Sequence, residues 1–121
     1  MDIRIKATEY QLTPEVSAYI DDRLAALDKF LGGDTASTRC EVEVGRDAGG
    51  QRHGPNMWFA EMRVIIPGSP AVYARNNAEN VNMAIDDVKA EIERQLRKQK
   101  KFHSRFLRKT GAAIKNWTRF G

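Results

Sequence analysis

The stretch VNMAIDDVKAEIERQL, residues 81–96, contains a series of five large apolar residues that recur at spacings of four, three, four and four. In an α-helix this spacing places all five on one face, because the chain turns by about 100° per residue. Such a helix needs a hydrophobic core to pack against, so we expect a globular domain to form around it. The five residues are Val81, Ile85, Val88, Ile92 and Leu96.

The opposite side of the same helix is predicted to be basic. The stretch ERQLRKQKK, residues 93–101, begins this pattern. When the helix is continued beyond Leu96, basic residues recur on the side away from the apolar face. They form a cationic ridge made of Arg94, Arg97, Lys101, Arg105 and Arg108.

The net charge of +4 conceals a strong asymmetry along the chain. Residues 1–88 contain 9 Lys and Arg against 14 Asp and Glu, whereas residues 89–121 contain 11 against 2. This gradient favours an anionic partner, either a polyanion or an anionic membrane surface. The alternative is a solvated helix face, but such faces usually mix positive and negative charges.

The 121 residues are enough for one domain with a modest core. No apolar run has the length of a membrane span, and the N-terminal MDIRIK lacks the pattern of a secretion signal, so we expect a cytoplasmic protein. Cys40 lies in an alternating stretch and is predicted to be a small buried hydrophobic residue rather than a nucleophile.

Periodicity predicts the order β-α-β-β-β-α. Strands are expected at residues 3–8, 39–44, 57–66 and 71–75, because apolar and polar residues alternate there. The first helix is predicted over residues 14–31, between the Thr13 cap and Gly32-Gly33. The second helix is predicted to begin at a capping box formed by Asn76 and Glu79. Residues 45–56 are rich in glycine and are predicted to form a hairpin loop.

These elements predict an α+β fold, because each helix has one apolar face and each strand can have one polar face. A four-stranded sheet with both helices packed on one side satisfies this pattern. The other side of the sheet is then expected to face solvent. The residues predicted to lie there are Arg4, Lys6, Glu41, Glu43, Glu61 and Arg63.

The chain is predicted to divide into a domain at residues 1–102 and a basic tail at residues 103–121 that is disordered on its own. The tail contains Trp117 and Phe120 between basic residues. Aromatic rings of this kind stack on unpaired bases, whereas the alternative is that they dock back on the domain.

No arrangement of residues in the sequence is typical of a catalytic or metal site. His53 and His103 have no partner histidine or cysteine pair at a spacing that binds metal. Asp86 and Asp87 are adjacent on a helix, so they are interpreted as solvent-facing or capping groups rather than as an acid–base pair. We therefore expect neither an enzyme nor a cofactor, metal or small-molecule substrate.

The positive feature is the basic ridge together with the aromatic, basic tail. Lysine and arginine neutralise phosphates, and arginine or aromatic planes stack on bases, which is how proteins commonly hold structured RNA. The sequence therefore favours an RNA partner.

Four segments resemble the family of ribosome hibernation promoting factors and ribosome-associated inhibitors, also known by the older label sigma-54 modulation protein. The segments are LTPE at 12–15, YIDDRLAALDKF at 19–30, AID at 84–86 and ERQLRK at 93–98. The resemblance as a whole covers about residues 1–102. The resemblance implies a fold similar to the double-stranded RNA-binding domain.

The resemblance also implies a function. Such a factor binds rRNA of the small ribosomal subunit near the decoding region, under stress or in stationary phase. There it sterically blocks mRNA and tRNA, which inhibits translation during ribosome hibernation. The alternatives are a general RNA-binding module and a protein-interaction module that modulates a transcription complex.

Candidate rRNA contacts come from two sources. The resemblance carries over Arg23 and Lys29 on the first helix and Arg94 and Lys98 on the second. The helical pattern extends this set. The added residues are Arg97, Lys100, Lys101, Arg105 and Arg108.

Three positions depart from the family pattern. Ala26 and Glu91 stand where a basic residue is common, and Asn82 stands where an aromatic is common. The binding hypothesis depends on cations that are not neutralised by the carboxylates of the chain itself.

Overall fold

A computed structural model describes residues 1–47 and 56–109, with side chains as far as Gln99. The first strand, β1 (Asp2–Thr8), is followed by helix α1 (Pro14–Ala25) and two short 3-10 turns, Asp28–Phe30 and Gly32–Ser37. Strands β2 (Arg39–Arg46), β3 (Trp58–Ile65) and β4 (Val72–Ala78) then lead into helix α2 (Val81–Lys109). The predicted order of elements is confirmed.

The four strands form one mixed sheet in the order β1-β2-β3-β4. Strand β1 pairs with β2 in parallel, and the other two pairs are antiparallel. The parallel pair follows from the connection, because α1 carries the chain back to the starting end of the sheet. The predicted α+β class is therefore confirmed, while the likeness to the double-stranded RNA-binding domain stays a prediction.

Both helices pack on one face of the sheet, as predicted. Ile20 and Leu24 of α1 lie in one buried cluster with the apolar stripe of α2 and the inward side chains of β2, β3 and β4. Of the five stripe residues, Val81 is partly buried at the edge of the cluster, whereas Ile85, Val88, Ile92 and Leu96 are buried. Burial of such side chains contributes about 1.5–3 kcal/mol each, so this face of α2 anchors the domain.

Cys40 lies in this core, fully buried, as predicted. Burial raises the pKa of its thiol to about 12. The group therefore stays a protonated thiol at neutral pH and packs as a hydrophobic side chain.

The predicted first helix was too long. Helix α1 ends at Ala25, and the chain then continues in 3-10 turns, with the amide of Leu27 donating to the carbonyl of Leu24 at 2.9 Å. Leu27 and Leu31 remain buried nevertheless. The apolar spacing was correct, but the tighter turns satisfy the same burial without a continuous α-helix.

The predicted start of the second helix was also wrong. Asn76 belongs to β4, where it pairs with Ala60, and its side chain donates to Asp87 at 2.8 Å. The cap is Asn80, whose side-chain oxygen accepts from the amide of Met83 at 2.8 Å. Pairing between β3 and β4 is favoured over the local capping pattern. Strand β4 therefore extends to Ala78 instead of ending at residue 75.

The predicted loop at residues 45–56 begins two residues later than expected. Strand β2 continues through Gly45 and Arg46, and Gly45 lies opposite Thr8 of β1. Residues 48–55 lie outside the described part of the chain. Gly45 is thus a strand residue at a close approach between two backbones.

The side of the sheet away from the helices has the predicted charged side chains. They surround a shallow depression of about 300 Å³ lined by Arg4, Lys6, Glu41, Glu43, Glu61 and Arg63, with Ile5 and Val42. Phe59 also points to this side, yet it is buried, because the guanidinium of Arg75 covers its ring at 4.1 Å. Because positive and negative groups alternate here, this face has no strong preference for a polyanion.

Candidate nucleic-acid interface

The first 3-10 turn and α2 bring two predicted site residues to one aromatic ring. The Nζ atom of Lys29 lies 5.2 Å from the centre of the Phe30 ring, and the guanidinium carbon of Arg97 lies 5.6 Å from the same centre. Cations are attracted to the electron-rich face of such a ring. Two basic residues that are far apart in the sequence therefore meet on one flank of α2.

Glu93 is the anionic centre of this flank. Its carboxylate lies 2.6 Å from Nζ of Lys89 and 3.3 Å from Nη2 of Arg97, and its side chain is only 13% exposed. The hydrogen bond from Lys89, together with the charges of Arg97 and Lys29, lowers the pKa of Glu93. We call the group Lys29, Phe30, Lys89, Glu93 and Arg97 the Phe30 cluster. Three cations surround one carboxylate, so the cluster keeps an excess of positive charge.

Arg23 is held between the two helices. Its Nε atom lies 3.3 Å from Oδ1 of Asp86, and its guanidinium lies 4.8 Å from the centre of the Tyr19 ring. The hydroxyl of Tyr19 donates to the Asp86 carboxylate, whose two oxygens both lie 2.8 Å away. Contacts with Tyr19 and then with Asp86 raise the pKa of Arg23. The side chain of Asp86, which was predicted to be a solvent-facing or capping group, is 47% exposed and also joins α2 to α1.

Replacing Tyr19 with phenylalanine should lower the free energy of unfolding by about 1 kcal/mol, because a hydrogen bond to a charged partner is lost while the ring remains. Thermal unfolding should show the midpoint falling by about 4 °C. The matched control is Tyr10→Phe, since the Tyr10 ring packs edge-on against Trp58 and no hydrogen bond of its hydroxyl occurs among the described residues. Equal midpoints for the two variants would contradict the role of the Tyr19 hydroxyl.

Arg94 lies on the outer side of α2 and is paired with Glu91. Its Nε atom donates to one carboxylate oxygen at 2.9 Å and Nη2 donates to the other at 2.6 Å. Lys98, one turn further on, is exposed and makes no ion pair within the part of the chain whose side chains are described. Arg94 and Lys98, two predicted site residues on the outer side of α2, therefore differ in how accessible they are to a phosphate.

The backbone of α2 remains helical through the rest of the predicted ridge, as far as Lys109. The side chains of Lys100, Lys101, Arg105 and Arg108 lie outside the described residues, as do Trp117 and Phe120. The sequence nevertheless shows where the charge excess lies. Residues 81–99 contain four cations and four anions, whereas residues 100–109 contain five Lys and Arg and no Asp or Glu.

The RNA-binding hypothesis requires cations that are not paired with the chain's own carboxylates. The described side chains meet this condition only in part. Arg23, Arg94 and Arg97 each have a carboxylate partner, whereas Lys29 and Lys98 are exposed cations without one at ion-pair distance among the described side chains. The side chains of these three arginines remain 42% to 62% exposed. Ion pairs this exposed contribute little to stability and are screened by salt, so a phosphate can displace the carboxylate.

Sequence reasoning missed Lys89 and the ring of Phe30. A signal for Lys89 was present, because Glu93 stands four residues after Lys89 and four before Arg97, a spacing that favours ion pairs on a helix. The ring gave no such signal, since its contact with Arg97 depends on how the 3-10 turn lies against α2.

The described residues contain no group of three or more His, Cys, Asp or Glu side chains placed to hold a metal ion. None of the described helices is both long and apolar enough to cross a membrane.

The fold is similar to that of solved protein structures. The structure is similar to the N-terminal domain of Protein Y from Thermus thermophilus, with a TM-score of 0.66 and 23% identity over 81% of this chain and 98% of that one. It is also similar to a ribosomal subunit interface protein from Coxiella burnetii, with a TM-score of 0.66 and 15% identity over 84% of this chain and 99% of that one. A search of curated proteins finds no match.

At the level of sequence, the profile of the family described as "Sigma 54 modulation protein / S30EA ribosomal protein" matches residues 3–103. This span includes α1, α2 as far as residue 103, the four strands except for Asp2 at the start of β1, and the Phe30 cluster. The chain therefore belongs to the sigma 54 modulation protein / S30EA ribosomal protein family.

Proposed function

We propose that this protein binds rRNA of the small ribosomal subunit near the decoding region and sterically blocks mRNA and tRNA under stress or in stationary phase. Membership of the family supports an association with the ribosome. The name of the Coxiella burnetii neighbour places that protein at a ribosomal subunit interface, which agrees with the proposed location.

The observation that carries the proposal is the convergence of Lys29 and Arg97 at the Phe30 ring. Cations from two separate elements on one flank can contact phosphates of one RNA strand or of two neighbouring strands. The same helix then continues into residues 100–109, where five cations stand without an anion. We infer from the sequence pattern that these residues together form a basic side of α2.

The proposed RNA contacts fall into two groups, according to whether the cation is already paired with a carboxylate. Lys29 and Lys98 bind phosphate directly, whereas Arg94 and Arg97 must exchange Glu91 and Glu93 for a phosphate, and Arg23 must loosen its contact with Asp86. The remaining contacts are assigned to the last part of α2. These are Lys100, Lys101, Arg105 and Arg108.

In this proposal, translation is inhibited sterically and no catalysed reaction is required. Helix α2 has 29 residues and so extends about 44 Å at 1.5 Å per residue. In this proposal, a helix of this length, anchored to the sheet by the apolar face of residues 81–96, excludes other ligands from an rRNA channel by occupying it.

The salt dependence of binding tests the proposal. If about six phosphates are neutralised, the logarithm of the association constant should fall with the logarithm of salt concentration at a slope of about −4 to −5. Co-sedimentation of the purified protein with small subunits through sucrose gradients, repeated at several salt concentrations, measures this slope.

Two experimental outcomes would favour a different function for this protein. Binding that survives high salt and nuclease treatment would favour a protein-interaction module instead. Displacement by an unrelated RNA duplex, but not by initiator tRNA with mRNA, would favour a general RNA-binding module.

A further inference from the structure

Glu91 and Arg94 form a two-point ion pair at the centre of the outer side of α2. The two nitrogens of the guanidinium fork, Nε and Nη2, meet the two carboxylate oxygens at 2.9 and 2.6 Å. Phosphate binds arginine through this same fork. The carboxylate thus occupies the positions that an RNA phosphate would need.

The second contact of Glu91 holds the carboxylate in place. Nε2 of Gln95 donates to Glu91 at 3.1 Å and to the backbone carbonyl of Tyr73 on β4 at 2.8 Å. Glu91 is therefore oriented toward Arg94 by a side chain that is itself fixed to the edge of the sheet.

Glu91 differs from Glu93, the other carboxylate of α2 that pairs with an arginine of the same helix. Glu93 is 13% exposed and lies between Lys89 and Arg97, so its removal would leave two neighbouring cations uncompensated. Glu91 is 40% exposed and forms an ion pair with Arg94 only, among the described residues. Its loss would free one cation without disturbing the Phe30 cluster.

We propose that Glu91 is an internal competitor that occupies the phosphate-binding fork of Arg94 and thereby weakens the binding of RNA to the outer side of α2. This inference rests on the proposed RNA-binding function. Hydrogen bonds from Arg94 and Gln95 lower the pKa of Glu91 to about 2. The carboxylate is therefore ionised throughout the physiological pH range, and the competition is constant rather than switched by pH.

The competitor also affects the salt dependence of binding. A phosphate that takes Arg94 leaves Glu91 in need of a cation from solution, so fewer ions are released overall than from a free arginine. Removing the carboxylate should therefore strengthen binding at low salt and make its salt dependence steeper.

The test is Glu91→Gln, which keeps the size and the contact to Gln95 but removes the charge. Its affinity for purified small subunits and for a random-sequence RNA duplex should rise about threefold to tenfold at low salt. The slope of log affinity against log salt should become more negative by about 0.7 to 0.9. Fluorescence anisotropy measures duplex binding, and co-sedimentation measures binding to subunits.

Two controls separate the ion pair from a general change of charge. Glu79→Gln changes the net charge equally but alters an exposed residue between β4 and α2, so its affinity should stay within about twofold. In an Arg94→Gln background, Glu91→Gln should lose most of its effect, because the fork that it frees is gone.

Different results would contradict the proposed ribosomal function and the proposed role of Glu91. If the original protein binds the duplex but not small subunits, the ribosomal function is wrong while the role of Glu91 can still be measured on the duplex. If Glu91→Gln leaves affinity and salt slope unchanged, or acts equally without Arg94, the competitor role is wrong and the ribosomal function is unaffected.

Discussion

A variant with Lys29, Arg97 and Lys98 all replaced by glutamine should bind small ribosomal subunits about 100-fold more weakly than the original protein. Each contact between a basic side chain and a phosphate contributes about 1 kcal/mol net, and three such contacts correspond to about two orders of magnitude in affinity. The three side chains are exposed and lie outside the core, so the thermal midpoint should change by no more than a few degrees.

The matched control uses the other side of the sheet. Arg4, Lys6 and Arg63 line the depression away from the helices, and their replacement by glutamine removes the same charge. This control should weaken binding only through the smaller net charge, by less than about fivefold. Equal losses in the two triple variants, measured by co-sedimentation at one salt concentration, would show that net charge alone drives binding.

Replacing Gly45 with alanine should lower the free energy of unfolding by about 3 kcal/mol, or about 10 °C in the thermal midpoint. A Cβ atom at this position would lie 1.9 Å from the carbonyl oxygen of Thr8, far inside van der Waals contact. The obstacle is backbone, so it cannot rotate away as a side chain would. The β1–β2 pairing must shift near its end.

Gly33→Ala is the control for this prediction. A Cβ atom at Gly33 would meet nothing within 4 Å, and the backbone there is not left-handed. This variant should unfold at the same temperature or slightly higher, because alanine restricts the unfolded chain. Chemical denaturation of both variants measures the difference, and a Gly45→Ala protein as stable as Gly33→Ala would refute the close approach.

The apolar periodicity predicted the fold well. The stripe at residues 81–96 and the alternation in β2 and β3 identified the inward side chains, and these make up most of the core. Burial of apolar surface is the largest favourable contribution to folding, and it depends on spacing that is written directly in the sequence.

The ends of elements were predicted less well, because several local patterns compete for the same residues. Asn76 and Glu79 have the spacing of a capping box, yet the ladder with β3 takes Asn76 into β4. Gly45 has the composition of a loop, yet it continues β2 where Thr8 approaches. In both cases a contact with another strand, absent from the local sequence, determines the result.

The role of the candidate site residues in binding RNA stays a prediction. The sequence placed Arg94 and Arg97 on the surface through its helical pattern, and Lys29 and Lys98 through the family resemblance, and all four are exposed. It did not predict that Glu91 and Glu93 would pair with the two arginines, although both stand within one helical turn of their partners. Which rotamers form these pairs depends on neighbours such as Gln95 and Phe30.

The sequence by itself determined the order of elements, the face that each buries and the concentration of positive charge near the end of α2. These follow from the periodicity of the backbone and from composition, which do not depend on distant contacts. Only the tertiary structure decided that Lys29 meets Arg97 at Phe30, that Asp86 joins the helices through Tyr19, and that Glu91 holds Arg94. The physical reason is that such contacts act over a few ångströms between side chains whose separation is set by the packing of the helices on the sheet.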